Sequence, residues 1–439
     1  IVRELRRCGL SGGTIFAFAI SAPLFNPLSL LYGLTLSEPT AIISFAGCSL
    51  VIVTLLGVLW DKLFPDSALP VPDEEPIEFG VRRVAAAGVA AGRDITGRST
   101  LFILVGLIGT GVLGVLLPAN SLQASFNHDN VLAPLHMLGL AVPVYATPML
   151  AMAQMGMMFQ HANSIGAAFI LLTLGAGMNL GLLGWLSANY GIKRTVVWMA
   201  LLGGIALGLA YAVDGPLFPS DVQPAGHTHA FDVYCQPFTP GVVSDEGYQS
   251  DAMQKLEKLV QPFEFQAFRI LVGCLVVGFL VRLIDMKGHA QRWIEAGRDG
   301  ELKRDVILPT HVLGGLVLLV VVAVSVAGCY AYYPPPKVVL KEMFLAKGEA
   351  LHGALIDDAT HATYWIDGYT DWSRKLEVGV FIRHGSVSDY HHWKARVLRE
   401  QLELLEHTIE DGETEETRKW IAKVGRTHAR LVTAYSEEL

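Results

Sequence analysis

The sequence predicts an all-α, polytopic helical membrane protein with an inverted-topology repeat, a re-entrant proline-broken hairpin and a small extracytoplasmic helical domain. Three observations support this fold class. Hydrophobic residues make up 52% of the chain and charged residues only 17%. Several apolar runs approach or exceed the ~20 residues that cross a ~30 Å hydrocarbon core. Two of these runs are similar to one another, which is typical of membrane proteins with duplicated halves.

The apolar runs mark the predicted membrane-spanning segments in chain order, since a long run with few charges is typical of a membrane-spanning helix. The clear spans are residues 12–34, 39–60, 100–117, 163–187, 195–213, 264–283 and 307–330. A further apolar stretch, 134–158, differs from them because it carries Pro143 and Pro148 near its middle.

Lys and Arg orient these spans, because cytoplasmic loops hold the excess of basic residues. Basic residues precede the first, third and last spans, and Lys193 and Arg194 precede the span that begins at residue 195. The turns at 119–133 and 159–162 carry none. When the basic loops are placed inside, the turn at 119–133 lies outside and the turn that holds Lys193 lies inside. Two apolar stretches, 134–158 and 163–187, lie between these two turns. An even number of crossings cannot connect opposite sides.

One of the two stretches must therefore enter and leave the membrane on the same face. We expect this to be 134–158, because proline removes a backbone donor and clashes with the preceding turn. Irregular backbone at membrane depth is tolerated only where protein or a water-filled cavity surrounds it. The stretch is therefore predicted to be a re-entrant hairpin with its tip at 143–148. The alternative is a kinked full crossing, which places Lys193 and Arg194 outside.

The two similar runs begin at Gly12 and Ser164. The first reads GGTIFAF and continues to PLFNP at 23–27, and the second reads SIGAAF and continues to GAGMN at 175–179. In the predicted topology the first run leaves the cytoplasm and the second enters it, so the repeats are inverted. The duplication also predicts a hairpin before Ile1, which would make the first repeat incomplete at its N-terminus.

These motifs carry a family resemblance. The first run, with Pro143-Val-Tyr145 of the hairpin and Ala168-Phe169 of the second run, resembles the bacterial predicted-permease family that includes the ArsP organoarsenical exporter and the YraQ-type permeases. The resemblance covers about residues 1–213 and implies a membrane permease fold. The cysteine-bearing hairpin motif of the family would precede Ile1. Because thiolates that bind arsenic are absent from the repeats, the resemblance does not extend to organoarsenical chemistry.

Helix breaks near the middle of the membrane free backbone groups that can bind a substrate. We therefore predict a substrate site where the two runs approach the hairpin tip. Small residues and single polar side chains are equally typical of helix–helix packing in membranes, and that alternative stays open. The candidate substrate-binding residues are Ser21, Pro23, Asn26, Pro27, Tyr145, Thr147, Pro148, Thr173 and Asn179.

Two groups of residues offer metal ligands. Thioethers after the hairpin tip suit soft ions such as Cu(I), although methionine is also a flexible filler of apolar gaps. These weak candidates are Met149, Met152 and Met155. An external segment offers ligands whose spacing matches no defined metal site, so a solvated loop is the favoured interpretation. Its candidates are His227, His229, Asp232 and Cys235.

Composition and spacing exclude several classes of function. The formal charge of −8 comes largely from the hydrophilic segments and does not bear on nucleic acid, but the lack of a basic cluster with interleaved aromatic residues argues against nucleic acid as a partner. No Asp or Glu lies deep in a predicted span, which argues for a facilitator or for coupling groups elsewhere. No nucleophile–base pair or metal motif sits at membrane depth, so the sequence does not predict an enzyme or a cofactor.

The segment after residue 330 turns charged and helical. Amphipathic stretches at 337–366, 389–409 and 413–435 predict a small helical bundle, extracytoplasmic by parity. Seven histidines fall there without the Glu-x-x-His pairs of a bundle metal site, so they are predicted to lie on the surface. This domain is expected to dock a protein partner through residues 331–439.

The predicted protein is a bacterial inner-membrane, multi-pass permease that exports a small solute, or a metalloid- or metal-related compound, by alternating access. The alternative is a structural or assembly subunit of a larger membrane complex with a vestigial transport site. Its partners are the lipid bilayer and an unidentified small solute. The predicted domains are 1–61 (first repeat), 62–98 (cytoplasmic linker), 99–213 (connecting span and second repeat), 214–263 (cap loop), 264–330 (two further spans) and 331–439 (helical domain).

Overall fold

The structure is a computed structural model that describes residues 10–36, 39–65, 81–118, 121–218, 226–235, 262–285, 292–293 and 309–437. Sixteen α-helices and no strand occur in these residues, which confirms the all-α class. The helices are α1 (Gly12–Leu24), α2 (Pro27–Gly33), α3 (Pro39–Leu63), α4 (Val81–Ile95), α5 (Arg98–Leu116), α6 (Ala133–Ala141), α7 (Pro148–Gln160), α8 (Ile165–Ile170), α9 (Leu180–Tyr190), α10 (Ile192–Asp214), α11 (Pro262–Asp285), α12 (Thr310–Tyr332), α13 (Pro336–Leu355), α14 (Ala359–His384), α15 (Asp389–Glu410) and α16 (Thr414–Glu437).

The helices divide into two compact units. The first unit contains residues 1–26 and 40–310, and the second contains 27–39 and 311–439. The second unit therefore begins earlier than the predicted domain at 331, because it includes α12 and a short segment that contains α2. The predicted cap loop is described only at 226–235 and next to the helices that flank it.

Several helices are suited to a membrane. Three described helices, α3, α10 and α12, are long and apolar enough to cross one. A fourth crossing results if Ile165–Gly175 and Leu180–Tyr190 form one span, although the two parts are bent by 51°. The predicted first span is also interrupted, because α1 ends at Leu24 and α2 begins at Pro27. The chain is compatible with a membrane protein whose spans are partly broken.

The proline-rich stretch forms two short helices joined by the non-helical residues 142–147. Helix α6 has 9 residues and α7 has 13, so at 1.5 Å per residue they reach only about 14 and 20 Å. The ring of Pro134, at the start of α6, lies 3.1 Å from the position of a Cβ on Gly166. Since α7 ends only a few residues before Gly166, both ends of the stretch lie at the start of α8. The stretch therefore folds back on itself as a hairpin.

Helices α4 and α11 form a close pair in the first unit. A Cβ on Gly278 would lie 3.3 Å from the carbonyl oxygen of Gly92, so the backbones approach closely. At the end of α11, Asp285 is buried and forms an ion pair with Arg93. Small residues at such contacts are typical of helix packing in membranes, and the buried carboxylate is satisfied by its cation.

Helices α13 to α16 form a four-helix bundle in the second unit, in which each helix contacts two neighbours. Apolar residues at helical spacing build its core, as the sequence predicted for this region. On α15 these residues include Ala395, Leu398, Leu402 and Leu405, all fully buried. Trp393 belongs to the predicted amphipathic stretch 389–409 but is 55% exposed, because the bundle buries only a narrow stripe of this helix.

The predicted amphipathic stretch 337–366 is two helices rather than one. Helix α13 ends at Leu355, and Asp357 takes a left-handed conformation with φ 58°. Asp358 then caps α14 by accepting a hydrogen bond from the His361 amide at 3.1 Å. Aspartate favours such caps and tolerates left-handed geometry, so the local sequence ends one helix and starts the next.

A buried ionic network joins α14 to α15. Arg399 Nη1 donates to Glu377 Oε2 at 2.5 Å and to Ser373 Oγ at 3.2 Å. His392 Nδ1 lies 2.6 Å from the other carboxylate oxygen. Burial by itself raises the pKa of Glu377, but Arg399 and His392 outweigh it and hold that pKa below its ordinary value. The carboxylate is therefore charged at neutral pH.

The prediction of surface histidines in this domain is wrong for two of the seven. His391 and His428 are each only 4% exposed. His391 Nε2 lies 3.1 Å from the Ala434 carbonyl oxygen, and His428 Nδ1 lies 2.5 Å from the Tyr369 hydroxyl. Each ring therefore has a hydrogen-bond partner inside the bundle, which a sequence without helix pairing could not reveal.

Burial, and secondarily the charge of Lys347, lowers the pKa of His428 to about 4, from an ordinary value of 6.5. Between these values the unfolded chain binds a proton that the folded bundle does not. The free energy of unfolding is therefore expected to fall as the pH drops from 6.5 towards 4. Hydrogen exchange of α14 and α16 in the full chain, in detergent, measures this slope.

The variant His428→Gln keeps a polar partner for Tyr369 but does not titrate, so its bundle should show a weaker loss of protection below pH 6.5. His352 is exposed at the end of α13, and His352→Gln is the matched control. Equal slopes in wild type and His428→Gln would contradict this account.

Candidate functional site

A carboxylate near the end of α3 caps the start of α1. Asp61 accepts a hydrogen bond from Ser11 Oγ at 2.7 Å and another from the Gly13 amide at 2.8 Å. Ser11 Oγ also accepts from the Thr14 amide at 3.3 Å, as an N-cap does. A negative charge is favourable at this end of a helix, where the backbone amides lack partners. We call Ser11, Gly13 and Asp61 the first clasp.

The same arrangement occurs at the start of α8. Asp214, the last residue of α10, accepts hydrogen bonds from Ser164 Oγ at 2.9 Å and from the Gly166 amide at 2.7 Å. Ser164 Oγ also accepts from the Ala167 amide at 3.1 Å. We call Ser164, Gly166 and Asp214 the second clasp. Its chain separations of 50 and 48 residues equal those of the first clasp.

Each clasp brings two helix backbones into contact. A Cβ on Gly13 would lie only 1.9 Å from the carbonyl oxygen of Gly57 on α3. A Cβ on Gly166 would lie 2.6 Å from the carbonyl oxygen of Ala210 on α10. These four residues occupy matching positions in the two segments. Glycine is required at the first position of each pair because no side chain fits between the helices.

Aromatic rings of the α1 and α3 pair pack on aromatic rings of the α8 and α10 pair in a reciprocal pattern. Phe16 of α1 lies on Trp198 of α10, with ring centres 5.1 Å apart. Phe169 of α8 lies on Phe45 of α3, with ring centres 5.3 Å apart. Phe16 corresponds to Phe169, and Phe45 corresponds to Trp198. Exchanging the two helix pairs therefore turns one contact into the other. Such reciprocal contacts are typical of two copies related by a two-fold axis.

The clasps define the alignment of the two runs. An Ala-Phe pair occurs in both runs, at 17–18 and 168–169, but aligning these pairs would be two residues out, because the contacts match Phe16 with Phe169. In this register each position in the second run is 153 residues after its counterpart in the first, as Ser164 is after Ser11. Two equivalent glycines and hydroxyls define the register more sharply than the repeated Ala-Phe pair.

In the corrected register Asn26 matches Asn179, and each asparagine directly precedes the helix that follows a break. Asn179 Oδ1 accepts a hydrogen bond from the Leu182 amide at 2.9 Å and so caps α9. The chain before it is irregular, because residues 171–175 form a π-helical turn after α8. Such turns occur frequently at functional sites.

The hairpin tip lies against α5 beside this second break. The Tyr145 amide donates to Thr110 Oγ1 at 2.6 Å, and that hydroxyl donates to the Gly106 carbonyl oxygen at 3.2 Å. A Cβ on Gly106 would lie 3.1 Å from Asn179 Oδ1 and 3.4 Å from Tyr145 Cδ2. Gly106, Thr110, Tyr145 and Asn179 thus come together, and we call them the break site.

The other tip residues cap a helix. Thr147 Oγ1 accepts a hydrogen bond from the Leu150 amide at 3.1 Å, and Pro148 occupies the first helical position of α7. Proline suits that position because its missing N–H has no partner there anyway. Thr147 is exposed and Tyr145 is 37% exposed, so these tip residues remain accessible within the first unit.

Other predicted ligands have packing contacts. Thr173 is fully buried, donates to the Phe169 carbonyl oxygen at 2.7 Å and lies 2.9 Å from Ser49 Oγ on α3. Ser21 Oγ donates to the Phe18 carbonyl oxygen at 3.3 Å within α1. These contacts favour the helix-packing interpretation of both hydroxyls, and their substrate role stays a prediction.

The first break is described less fully than the second. The side chain of Pro23 lies outside the described residues, and Asn26 is half-buried. Pro27 is exposed, begins α2 and belongs to the second unit. Within the first unit, α1 does reach the second break, since a Cβ on Gly177 would lie 3.4 Å from the Ile20 carbonyl oxygen.

The methionine candidates lie on α7. Met152 and Met155 are essentially fully buried, and Met149 is half-buried. Flexible thioethers in a core fill irregular gaps, and burial here agrees with that interpretation. The soft-metal hypothesis stays a prediction.

Sequence reasoning missed the two clasp aspartates and the part of α5 that holds the tip. A single threonine between two glycines in an apolar helix was the available signal for Thr110. The equal spacing from Ser-x-Gly to aspartate was the signal for the clasps. Neither pattern is informative until helix pairing is known.

No protein-family model, no curated protein and no solved structure matches the chain. The resemblance to the predicted-permease family therefore stays a prediction.

The clasp geometry predicts opposite outcomes for two glycines near α3. Gly13→Ala should lower the thermal midpoint by several degrees, because overpacking against backbone costs about 1–3 kcal/mol or more. Gly47 has open space around its Cβ position, so Gly47→Ala should be neutral or stabilising, by up to about 1 kcal/mol. Thermal unfolding of the purified chain in detergent compares them, and equal midpoints would contradict the close approach.

Proposed function

We propose that this chain is a membrane permease in which two inverted repeats move a small solute by alternating access. The main support is the pair of clasps with equal chain spacing, together with the exchanged aromatic contacts. A two-fold relation between duplicated halves is how many secondary transporters place one site at the repeat interface. The break site lies next to the second repeat's broken helix, as such substrate sites do.

Charge supports inversion of the repeats. Lys62 and several further basic residues follow the first clasp, whereas residues 215–254 after the second clasp contain no Lys or Arg. Basic loops remain in the cytoplasm, so the first clasp is expected inside and the second outside. A two-fold axis in the membrane plane relates such a pair.

The chemistry of the break site favours an uncharged polar solute. Its polar side chains, Thr110, Tyr145 and Asn179, are neutral, and Thr147 nearby adds another hydroxyl. The start of α9 adds backbone amides with a partial positive charge, which suit an oxygen atom of the solute. Metalloid hydroxides belong to this class of solute.

The inversion can be tested at a matched pair of positions. Lys62 and Gly215 directly follow the two clasp aspartates, and both are exposed. In a chain without its native cysteines, Lys62→Cys should react with a membrane-impermeant maleimide only from the cytoplasmic side, and Gly215→Cys only from outside. Reaction of both from one side would exclude inverted repeats.

Alternating access can be tested without knowing the solute. Asn179→Cys should react from the outside in intact cells and from the cytoplasmic side in everted vesicles, because each state opens the break site to one side. Thr173→Cys is the control, since that position is fully buried and should react from neither side. Protection of Asn179→Cys from both sides would favour the alternative, an assembly subunit whose interface is packed closed.

A further inference from the structure

Three histidine rings meet in the first unit, at the end of the hairpin where the second clasp lies. His161 follows α7, while His227 and His229 come from the segment after α10. The ring centres of His227 and His229 are 5.2 Å apart, and His161 lies 5.6 Å from His227 and 6.3 Å from His229. Only the external pair was visible as a cluster in the sequence.

Two of these three separations are close to those that a shared metal ion requires. A zinc–nitrogen bond of about 2.0–2.1 Å places the centre of an imidazole ring roughly 3.2 Å from the ion. At tetrahedral angles, two such ring centres are then about 5.2 Å apart. Two of the three observed separations lie within about 0.5 Å of this value. The third, between His161 and His229, is longer, so metal binding would require one of these two rings to turn. Ring nitrogens of His227 and His229 already lie within 4.8 Å of each other.

A carboxylate orients one of the rings. His229 Nδ1 lies 2.9 Å from Asp232 Oδ2, and Gln123 Nε2 donates to the same oxygen at 3.0 Å. An Nδ1–H held by a carboxylate leaves Nε2 as the metal-binding nitrogen, and such a partner also raises the basicity of the ligand. His229 Nε2 is buried, as a nitrogen directed into the cluster is expected to be.

The protein holds the two contributing segments in place before any ion binds. The Thr228 amide donates to the Gln123 carbonyl oxygen at 3.0 Å, and Asn127 Nδ2 donates to the Gly226 carbonyl oxygen at 2.7 Å. Beside His161, Ala162 has a left-handed φ of 47°, a conformation that favours glycine. Backbone strain of this kind persists where the surroundings fix it, and it is concentrated at functional sites.

Buried amides extend this polar region along α7. Gln154 lies two helical turns before His161 on the same face, and its amide lies beside the Tyr234 hydroxyl. Asn163 is fully buried, and its side-chain amide makes no hydrogen bond within the described parts of the chain. A polar interior next to three imidazoles differs from a solvated loop, which was the interpretation favoured from the sequence.

We propose that His161, His227 and His229 bind one transition-metal ion of the Zn²⁺ class, with Asp232 as the positioning residue for His229. Three imidazoles with a fourth position open to water or another ligand suit zinc. The ion would join the end of the hairpin to the segment after α10, and so stabilise the outer end of the second repeat. This proposal does not depend on transport.

Equilibrium dialysis of the full chain in detergent against buffered Zn²⁺, with metal analysis, tests the site. Wild type should bind one high-affinity Zn²⁺ per chain. His161→Gln, His227→Gln and His229→Gln should each weaken binding more than 10-fold, and Asp232→Asn by about 10–100-fold, as the loss of an orienting partner does. His136 is exposed at the same end, and His136→Gln is the matched control with unchanged affinity.

A second measurement separates loss of the site from loss of the fold. Zn²⁺ should raise the thermal midpoint of wild type and of His136→Gln, but not that of the histidine-cluster variants. Co²⁺ substitution should give the visible absorption of a tetrahedral ion in wild type and in His136→Gln, but not in the histidine-cluster variants. No Zn²⁺ bound by folded wild type, or equal affinity in folded His229→Gln, would overturn the proposal.

Discussion

The contact between an aspartate carboxylate and the exposed amides at the start of a helix supports the rest of the first unit. A helix start in a low-dielectric environment leaves donors without partners, and each unsatisfied donor is costly there. Asp61 and Asp214 satisfy these donors and at the same time fix a broken helix to a long one. Because glycine lies at the contact, the two helices of each pair approach to backbone distance.

Because a clasp fixes the start of each broken helix, the chain can take irregular geometry further along. The π-helical turn at 171–175 and the turn before Asn179 lie away from the clasp, where α5 and the hairpin tip supply new partners. Thr110 satisfies the Tyr145 amide, and Asn179 satisfies the start of α9. The break site is therefore a place where non-helical backbone is satisfied group by group, which also leaves polar atoms available to a solute.

Several features were readable from the residues alone. Apolar runs predicted the helices, and proline positions predicted the interrupted stretches. Both predictions hold because each backbone polar group inside a bilayer needs a hydrogen-bond partner, which a helix supplies and a proline removes. Parity predicted a re-entrant hairpin, and the structure has two short helices joined by the non-helical residues 142–147 in this stretch, while its entry into a membrane from one face stays a prediction. The structure divides the substrate candidates into two groups. Tyr145 and Asn179 come together at the break site, whereas Thr173 forms a buried hydrogen bond with Ser49. The Ala-Phe pair that both runs share would by itself place the repeat register two residues off, since one such pair has no geometric constraint.

The sequence by itself determined the all-helical class, the positions of the breaks and the amphipathic character of the last hundred residues. These properties depend on local composition, and local backbone preferences and hydrophobic periodicity express them directly. Only the tertiary structure decided which aspartate caps which helix, which threonine holds the hairpin tip and which histidines meet. Those contacts join residues about 35 to 70 positions apart in the chain, such as Thr110 with Tyr145 or His161 with His227, and helix packing alone sets such distances.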